Sequence, residues 1–263
     1  MLIIRYYTKL KKIFRGIKRY KNIKEIAIHI LNKQSINFVE TRNNYKFCGP
    51  DNSDLIGLIS DIIYGERYCN RNEFKIRSGD VVLDVGANIG VFTVYACKKS
   101  AAKIYAIEPS DNNINYIKKN LELNNCSIPV VYYNKPLLGE IKTVYFNENE
   151  TCNEGSMVCK EADINNQSSI NKDSITLEYI IKENNINIIN LLKMDCEGSE
   201  GEIFFKLNEF VASKLERIGM EFHDNMSKLN HEQIIEILKK FRYKVTLDWD
   251  GKSSFGFIYG IKN

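Results

Sequence analysis

Charged side chains cluster at the end of the most apolar stretch of this 263-residue chain. Residues 187–194 have the composition of a buried strand, contain Lys193 and continue with Asp195 and Glu197. Because successive side chains of a strand point to opposite faces, these three charged residues are expected on one side. A charge within such a strand is unfavourable unless it is paired. Lys193 therefore either forms an ion pair with Asp195 or Glu221 or takes a direct part in catalysis, and both interpretations stay open.

A second group of titratable residues follows the next predicted strand, residues 217–222. Glu221 and His223 alternate there with the same period of two. If the two strands are neighbours, the side chains at both strand ends converge, and convergent titratable groups in a cleft mark a functional site. Imidazole titrates near neutral pH, so His223 is the first candidate for a general base. Asp195 or Glu197 would serve as the base instead or orient His223, and a hydrogen bond of His223 to the backbone is the purely structural alternative.

A glycine-rich turn follows the first predicted strand, Val81–Val85. Glycines let the backbone approach a ligand closely, and the next helix directs its free N–H groups at whatever is bound. The dinucleotide fingerprint G-x-G-x-x-G is incomplete, because Asn88 replaces its middle glycine. An acidic residue before the first glycine is typical of S-adenosylmethionine binders. Asp84 stands at that position and would accept from the ligand's ammonium group, directly or through water, and hold the loop. Cofactor contacts are expected from Asp84, Gly86, Ala87, Asn88, Ile89 and Gly90.

Another carboxylate follows the second predicted strand, Lys103–Ile107. Glu108 lies 18 residues beyond Gly90 and precedes Pro109, a spacing at which an acid hydrogen-bonds both hydroxyls of a ribose. Together with Asp195 these two residues are expected to complete a site for an adenosyl ligand. A nicotinamide-dependent oxidoreductase would require the complete glycine fingerprint and is disfavoured. Residues 64–68 are interpreted as a surface turn rather than a lid over the cofactor.

Short apolar runs alternate with amphipathic segments from residue 80 onwards. The predicted strands are 81–85, 103–107, 128–133, 142–146, 188–194, 217–222, 243–249 and 255–261. Strands separated by helices indicate an α/β domain with a mainly parallel sheet, assigned to residues 76–263. The last two strands predict a C-terminal antiparallel hairpin at the sheet edge. Residues 1–75 are predicted as an N-terminal helical segment, and residues 147–172 as a polar loop.

Three blocks of this sequence resemble those of the FkbM-type methyltransferases. They are DVGANIGVFT at 84–93, EP at 108–109 and LLKMDCEGSE at 191–200. The resemblance extends from about Ser78 to Phe222, and Cys196 and Ser199 stand where the family more often has valine and alanine. It implies a Rossmann-like class I fold with a seven-stranded sheet, S-adenosyl-L-methionine as methyl donor (S-adenosylhomocysteine as product) and O-methylation of sugars or other natural-product hydroxyls. It does not cover residues 1–75 or specify the acceptor.

The distribution of charge limits the partners. Residues 1–24 carry nine Lys and Arg and no acid, whereas the remaining chain holds 28 basic against 33 acidic residues. Nucleic-acid binding requires a basic surface, and the acidic balance of residues 25–263 does not favour one, so no nucleic acid is expected. Residues 1–24 have apolar residues at helical spacing, and such a helix binds an anionic membrane surface or packs on the main domain or on a second subunit of a homo-oligomer.

No segment resembles a signal peptide or a membrane-spanning helix, which would need about 18–20 consecutive apolar residues. The seven cysteines include no Cys-x-x-Cys pair, which fits reduced thiols in a cytoplasmic protein, with peripheral contact to the inner face of the membrane left open.

The sequence predicts an S-adenosylmethionine-dependent O-methyltransferase that acts on a saccharide, a glycan or a natural-product precursor. Transfer to an alcohol requires a positioned acceptor and a base, and no metal is assigned. A divalent cation such as Mg²⁺, held by the carboxylates, would lower the pKa of the alcohol, although nothing in the spacing requires it. The alternatives are a methyltransferase of RNA or of another small molecule, and a non-catalytic adenosyl-ligand-binding protein of the same fold.

Overall fold

A computed structural model of the protein describes residues 18–32, 34–51, 53–147, 157–158 and 169–263. Most of the predicted amphipathic helix over 1–24 and most of the predicted loop 147–172 lie outside these residues, so both stay predictions. Within the described part of the chain, no helix has the length and apolar character needed to cross a bilayer.

Residues 18–75 contain a β-hairpin as well as helices. Their elements are helix α1 (Ile23–Asn32), strands β1 (Phe38–Glu40) and β2 (Lys46–Cys48), helix α2 (Leu55–Ile59), a π-helical turn (Ser60–Tyr64) and a 3-10 turn (Asn72–Phe74). β1 and β2 pair antiparallel, with Val39 opposite Phe47. The prediction of helices and loops missed this hairpin, because three-residue strands are too short to show a period of two.

The second part of the chain alternates strands and helices. Its strands are β3 (Val81–Val85), β4 (Lys103–Ile107), β5 (Val130–Tyr133), β6 (Thr143–Asn147), β7 (Met157–Val158), β8 (Ser169–Asp173), β9 (Leu191–Met194), β10 (Arg217–His223), β11 (Tyr243–Asp248) and β12 (Phe255–Lys262). Its helices are α3 (Val91–Lys98), α4 (Asp111–Leu123), α5 (Leu177–Glu183), α6 (Glu200–Phe205), α7 (Glu209–Ser213) and α8 (His231–Lys240). The helix predicted over 200–215 is thus two short helices, and Asn208 caps the second of them by accepting from the Val211 amide.

One seven-stranded sheet in the order β11–β12–β10–β9–β3–β4–β5 forms the centre of the domain. Strands β10, β9, β3, β4 and β5 run parallel, so the carboxyl ends of these five strands meet at one edge of the sheet. β12 is antiparallel to both β10 and β11, which confirms the predicted C-terminal hairpin. The architecture is that of the Rossmann-like class I fold, in which ligands bind beyond the carboxyl ends of the strands.

Two hydrophobic clusters cover the faces of this sheet. The cluster on one face includes Val39 and Phe47 of the N-terminal hairpin together with Val82 and Phe92. The described residues before 76 therefore share their core with the sheet, whereas the predicted domain boundary at residue 75 stays a prediction. On the other face, Met194 and Phe222 pack with residues of α5, α6 and α8.

A separate three-stranded sheet in the order β7–β6–β8 lies within the stretch predicted to contain one strand and a long loop. β6 matches the predicted strand 142–146, and Thr143 pairs with Asp173 at the far end of β8. The prediction of a loop up to residue 172 is therefore wrong for β8. Its composition, Ser-Ile-Asn-Lys-Asp, has few of the β-branched residues by which strands are recognised.

Arg217, the first residue of β10, connects this strand to the segment that leads into β3. Its side chain is fully buried (0% exposed), and its Nη2 lies 2.6 Å from Oδ2 of Asp80. Its Nη1 donates to the carbonyl oxygen of Lys75 at 2.8 Å. The guanidinium thus satisfies a buried carboxylate and a partly buried backbone carbonyl.

We expect Arg217→Met to lower the free energy of unfolding by about 3–5 kcal/mol, because it leaves the Asp80 carboxylate buried without its cation. The matched control is Arg77→Met, since Arg77 is 58% exposed and its ion pair with Glu216 spans 3.7 Å; its loss should cost about 0.5 kcal/mol or less. Urea unfolding followed by circular dichroism measures both. Equal effects of the two substitutions would show that the buried pair does not stabilise the fold.

Candidate active site

A cleft opens where β3, β4 and β9 end. Its empty volume is about 830 Å³, open solvent at its mouth included, which falls within the size range of small-molecule sites. Its lining includes Gly86, Asn88, Glu108, Asp195 and Glu197. The structure thus brings together, in one cleft, residues predicted from the glycine-rich turn, from the end of β4 and from the end of β9.

The glycine-rich turn is shaped by its contact with the residue after β9. Gly86 has a φ of +68°, and a Cβ at this position would lie 1.7 Å from the carbonyl oxygen of Asp195. Only glycine allows the two strand ends to approach so closely. The Gly86 and Ala87 amides donate to the carbonyl oxygen of Ile107, at 3.0 and 3.1 Å. Gly90 then begins α3 with a φ of +84°, and the first turn of α3 borders the cleft.

Glu108 holds the turn and borders the cleft at the end of β4. Its Oε2 accepts from the Asn88 amide at 2.8 Å, and its Oε1 accepts from the Ser110 amide at 3.0 Å and from Nδ2 of Asn113 at 3.2 Å. Burial raises the pKa of the carboxyl, and these three hydrogen bonds oppose the rise. Oε1 accepts from two donors and has no lone pair left, whereas Oε2 accepts from one donor and retains a lone pair for a ribose hydroxyl.

Asp84 and Lys193 form a buried ion pair between β3 and β9. Nζ of Lys193 lies 3.2 Å from Oδ1 of Asp84, and Thr93 donates to Oδ2 of Asp84 at 2.6 Å. Lys193 also donates to the carbonyl oxygens of Val85 at 3.1 Å and of Gly86 at 2.6 Å. The predicted ion-pair partners of Lys193, Asp195 and Glu221, are therefore not the ones found.

The burial of Asp84 limits what it does for a ligand. Its side chain is 0% exposed, and both carboxylate oxygens face protein groups. Direct contact with an ammonium group is therefore not supported, whereas the predicted part in holding the loop agrees with the contacts to Lys193 and Thr93. Lys193 neutralises Asp84 and binds the turn, which is a positioning role; a direct part of Lys193 in catalysis stays a prediction.

The loop between β9 and α6 depends on Glu200, which the sequence argument did not single out. Its carboxylate is fully buried and accepts from the Cys196 amide at 3.1 Å and the Gly198 amide at 2.9 Å. Between these amides Glu197 has a φ of +51°, a conformation that a residue with a side chain adopts at a cost. Glu200 thus stabilises the loop that carries Asp195 and Glu197, and only the folded loop reveals this.

His223 lies between two carboxylates at the end of β10. Its Nδ1 is 3.2 Å from Oε1 of Glu200, and its Nε2 is 3.5 Å from Oε2 of Glu197. Burial lowers the pKa of the imidazole, but the hydrogen bond and charge of Glu200, with Glu197 and Asp195, outweigh it and raise the pKa to about 9. A protonated imidazole has no lone pair with which to accept a proton, which disfavours His223 as the base at neutral pH; its predicted role as the base stays a prediction.

Asp195 and Glu221 meet at the hydroxyl of Tyr68, a residue that the sequence argument assigned to a surface turn. Tyr68 Oη lies 2.8 Å from Oδ2 of Asp195 and 3.4 Å from Oε2 of Glu221, and Tyr68 is only 3% exposed. The surface-turn interpretation is therefore wrong for this residue. No local pattern could have revealed it, because 127 residues separate Tyr68 from Asp195.

The same edge of the sheet contains a group of side chains able to approach a cation. Within the described residues, Asp195, Glu197 and His223 each offer one ligand atom, and these atoms lie within 4.8 Å of one another. Asp195 is already bound by Tyr68, and His223 is paired with two carboxylates. We assign no metal to this group, and the expectation that transfer needs no metal stays a prediction.

The residues fit an adenosyl cofactor by their chemistry. Residues 86–89 of the turn and Val91 and Phe92 of the first turn of α3 line the cleft, and the buried Glu108 carboxylate borders it. Pro109 and Asn113 line the cleft together with Glu108, and we call this side of the cleft the Glu108 wall. The predicted contacts of Gly86, Ala87, Asn88, Ile89 and Pro109 with the cofactor stay predictions, although all five residues line the cleft.

Comparison with known proteins gives a consistent result. The chain is 22% identical over 215 residues to the 31-O-demethyl-FK506 methyltransferase FkbM of Streptomyces tacrolimicus, and the match covers 72% of this chain and 82% of that protein. A shorter match, 37% identical over 70 residues, relates it to the tRNA (guanine(37)-N(1))-methyltransferase Trm5b of Methanocaldococcus jannaschii and covers 27% of this chain and 19% of that protein.

A solved structure and a family profile support the same relationship. The crystal structure of methyltransferase FkbM from Methylobacillus flagellatus superposes with a TM-score of 0.51 at 16% identity, over 75% of this chain and 47% of that chain. This chain therefore spans about half the length of that protein, and the likeness shows the fold. The profile of the methyltransferase FkbM domain matches residues 84–245, from the glycine-rich turn to β11. Since this match covers more than half of the chain, the protein belongs to the FkbM family of methyltransferases.

Proposed function

We propose that this methyltransferase uses S-adenosyl-L-methionine to methylate a hydroxyl group of a saccharide, a glycan or a natural-product precursor. The observation that carries the proposal is the placement of Glu108 and Asp195 on the walls of one cleft. The Glu108 wall has the donors and the carboxylate that suit an adenosyl ligand. The Asp195 wall has the carboxylate that an alcohol acceptor requires.

S-adenosylmethionine supplies a methyl group on a sulfonium: the acceptor oxygen forms the new C–O bond, the C–S bond breaks with its electron pair on sulfur, and the hydroxyl proton needs a base. Asp195 is the base that the geometry favours. Its carboxylate lines the cleft, whereas His223 is held as a cation between Glu197 and Glu200. In this arrangement His223 orients Glu197, and Lys193 keeps the glycine-rich turn against the Asp195 loop.

Calorimetric titration with S-adenosylhomocysteine, beside NAD as a control, tests the cofactor. Micromolar binding of S-adenosylhomocysteine alone supports the proposal, and its absence in folded protein contradicts it. Transfer of label from [methyl-³H]S-adenosylmethionine to a panel of methyl hexosides and nucleotide sugars then tests the acceptor. A tRNA transcript belongs in the same panel, because label in the transcript alone would favour the RNA alternative.

The RNA alternative rests on the tRNA methyltransferase relative, whose match covers only 27% of this chain. The acidic balance of residues 25–263, with 28 basic against 33 acidic residues, disfavours binding to a nucleic acid. The proposal also includes a cytoplasmic location, contact of residues 1–24 with an anionic membrane and association into a homo-oligomer. A lipid-linked glycan would be an acceptor that such a membrane-bound cytoplasmic enzyme could reach.

Glu108→Ala should weaken the binding of S-adenosylhomocysteine at least tenfold. The change removes the predicted partner of the ribose hydroxyls and also the acceptor that holds the Asn88 amide. Titration calorimetry measures the dissociation constant. Glu122→Ala is the matched control, since Glu122 is an exposed residue of the helix that follows Glu108; equal affinity of the two variants would place the cofactor elsewhere.

Asp195→Asn should lower kcat by about 100-fold or more, because general base catalysis contributes about 10²–10⁴ to a rate. His223→Gln should slow transfer by a smaller factor, since it loses only the orientation of Glu197. Affinity for S-adenosylhomocysteine should stay within about threefold for His223→Gln, because His223 is not among the residues that line the cleft. Initial rates with the best acceptor of the panel show which substitution lowers kcat more. A larger fall in kcat for His223→Gln than for Asp195→Asn would assign the role of base to His223.

A further inference from the structure

Tyr68 reaches the active site from outside the sheet and is held there rigidly. Its ring meets those of Phe92 and Phe257 edge to face, with centroids 5.6 and 5.8 Å apart. Its backbone lies against β10, where a Cβ on Gly219 would come within 3.0 Å of the Tyr68 carbonyl oxygen. The position of the hydroxyl is therefore determined by packing on both sides of the residue.

The hydroxyl lies between two carboxylates but has one proton to donate. The shorter contact, 2.8 Å to Oδ2 of Asp195, is the one to which the O–H donates. Burial and the charge of Asp195 raise the pKa of Tyr68 well above its ordinary value of 10.0, so the hydroxyl keeps its proton. The second contact is 3.4 Å to Oε2 of Glu221. Because the proton of Tyr68 is directed at Asp195, the hydroxyl oxygen of Tyr68 meets Glu221 with its lone pairs.

This second contact is favourable only if Glu221 carries a proton. An ionised Glu221 would be repelled by the lone pairs of the Tyr68 oxygen and by the negative charge of Asp195. A protonated Glu221 carboxyl instead donates a hydrogen bond to the Tyr68 oxygen. Burial first, and then the charge of Asp195, raises the pKa of Glu221 to about 8.

Charged groups of both signs surround this carboxyl. The groups that face Glu221 or Tyr68 are Asp84, Asp195, Glu197, His223, Lys193 and Arg67. The two cations nearest to Glu221 are engaged elsewhere. His223 lies between Glu197 and Glu200, and Arg67 pairs with Asp61 at 3.1 Å and stacks on Phe257. They oppose the rise in the pKa of Glu221 without cancelling it.

We propose that Tyr68 is a positioning residue for the proton acceptor of methyl transfer: it accepts a hydrogen bond from protonated Glu221 and donates one to the Asp195 carboxylate. The chain of donors runs in one direction, from Glu221 through Tyr68 to Asp195. It orients the Asp195 carboxylate, so that the proton lost by the acceptor hydroxyl is taken up by Asp195. The inference rests on the proposed function for the role of Asp195, but the protonation of Glu221 does not depend on it.

The experiment follows side-chain carboxyl ¹³C resonances through a pH titration of the whole protein, labelled at Asp and Glu carboxyls and without cofactor. We expect the resonance that is lost in Glu221→Gln to titrate near pH 8. A Glu221 resonance that titrates near its ordinary pKa would show that Glu221 is ionised at neutral pH, and the proposal would be overturned.

Tyr68→Phe keeps the ring and removes only the hydroxyl. We expect the Glu221 resonance to titrate at a lower pH than in the wild type, since the protonated carboxyl loses the oxygen to which it donates. Tyr243→Phe is the matched control, because Tyr243 is a buried tyrosine whose hydroxyl lies 3.0 and 2.8 Å from the carbonyl oxygens of Ala212 and Leu215. A Glu221 resonance that is unchanged or moves to higher pH in Tyr68→Phe, or an equal change in the control, would contradict the proposal.

The enzymatic readout separates this inference from the proposed function. With the best acceptor, Tyr68→Phe should lower kcat about tenfold and leave KM for S-adenosylmethionine within about twofold, because it disturbs the orientation of the proton acceptor and leaves the Glu108 wall unchanged. Titration of Glu221 near pH 8 without any S-adenosylhomocysteine binding would refute the proposed function alone. Cofactor binding and transfer with a Glu221 resonance that titrates near its ordinary pKa would refute the inference alone.

Discussion

A buried cation, Lys193, connects the two strand ends on which the active site is built. Its ammonium group contacts the Asp84 carboxylate and the carbonyl oxygens of Val85 and Gly86, all at 3.2 Å or less. These contacts hold the glycine-rich turn of β3 against the end of β9, where Gly86 leaves no room for a side chain beside Asp195. Without the cation, Asp84 would be a buried and uncompensated charge.

The arrangement of charge at this sheet edge follows one rule: each buried acidic group meets a specific donor. Asp84 is paired with Lys193 and Thr93. Glu108 and Glu200 accept from backbone amides of the loops they stabilise. Asp195 faces the cleft with a tyrosine hydroxyl as donor, so its carboxylate combines a defined orientation with access to a bound acceptor, as a proton acceptor requires.

Membership of the FkbM family and the geometry of the cleft account for different properties of the protein. The family profile matches residues 84–245, which include the ends of β3, β4, β9 and β10 at which the candidate site lies. The N-terminal hairpin lies outside this match, and the small sheet β6–β7–β8 lies between the blocks that carry the resemblance. Lys172 of β8 donates to the carbonyl oxygen of Pro109 at 2.6 Å, and Pro109 lines the cleft. The small sheet thus contacts the wall of the cleft.

The sequence alone determined the α/β class, the parallel strands and the turn at Gly86, because strand periodicity, glycine and an acid at a strand end are local signals. It also indicated that Asp195, Glu197, Glu221 and His223 converge. Only the tertiary structure decided their partners: Asp84 rather than Asp195 neutralises Lys193, Glu200 holds the loop, and Tyr68 joins two carboxylates from 127 residues away. A partner's identity depends on distance in space and on burial, which fix the protonation of His223 and Glu221, and neither quantity is contained in a short stretch of sequence.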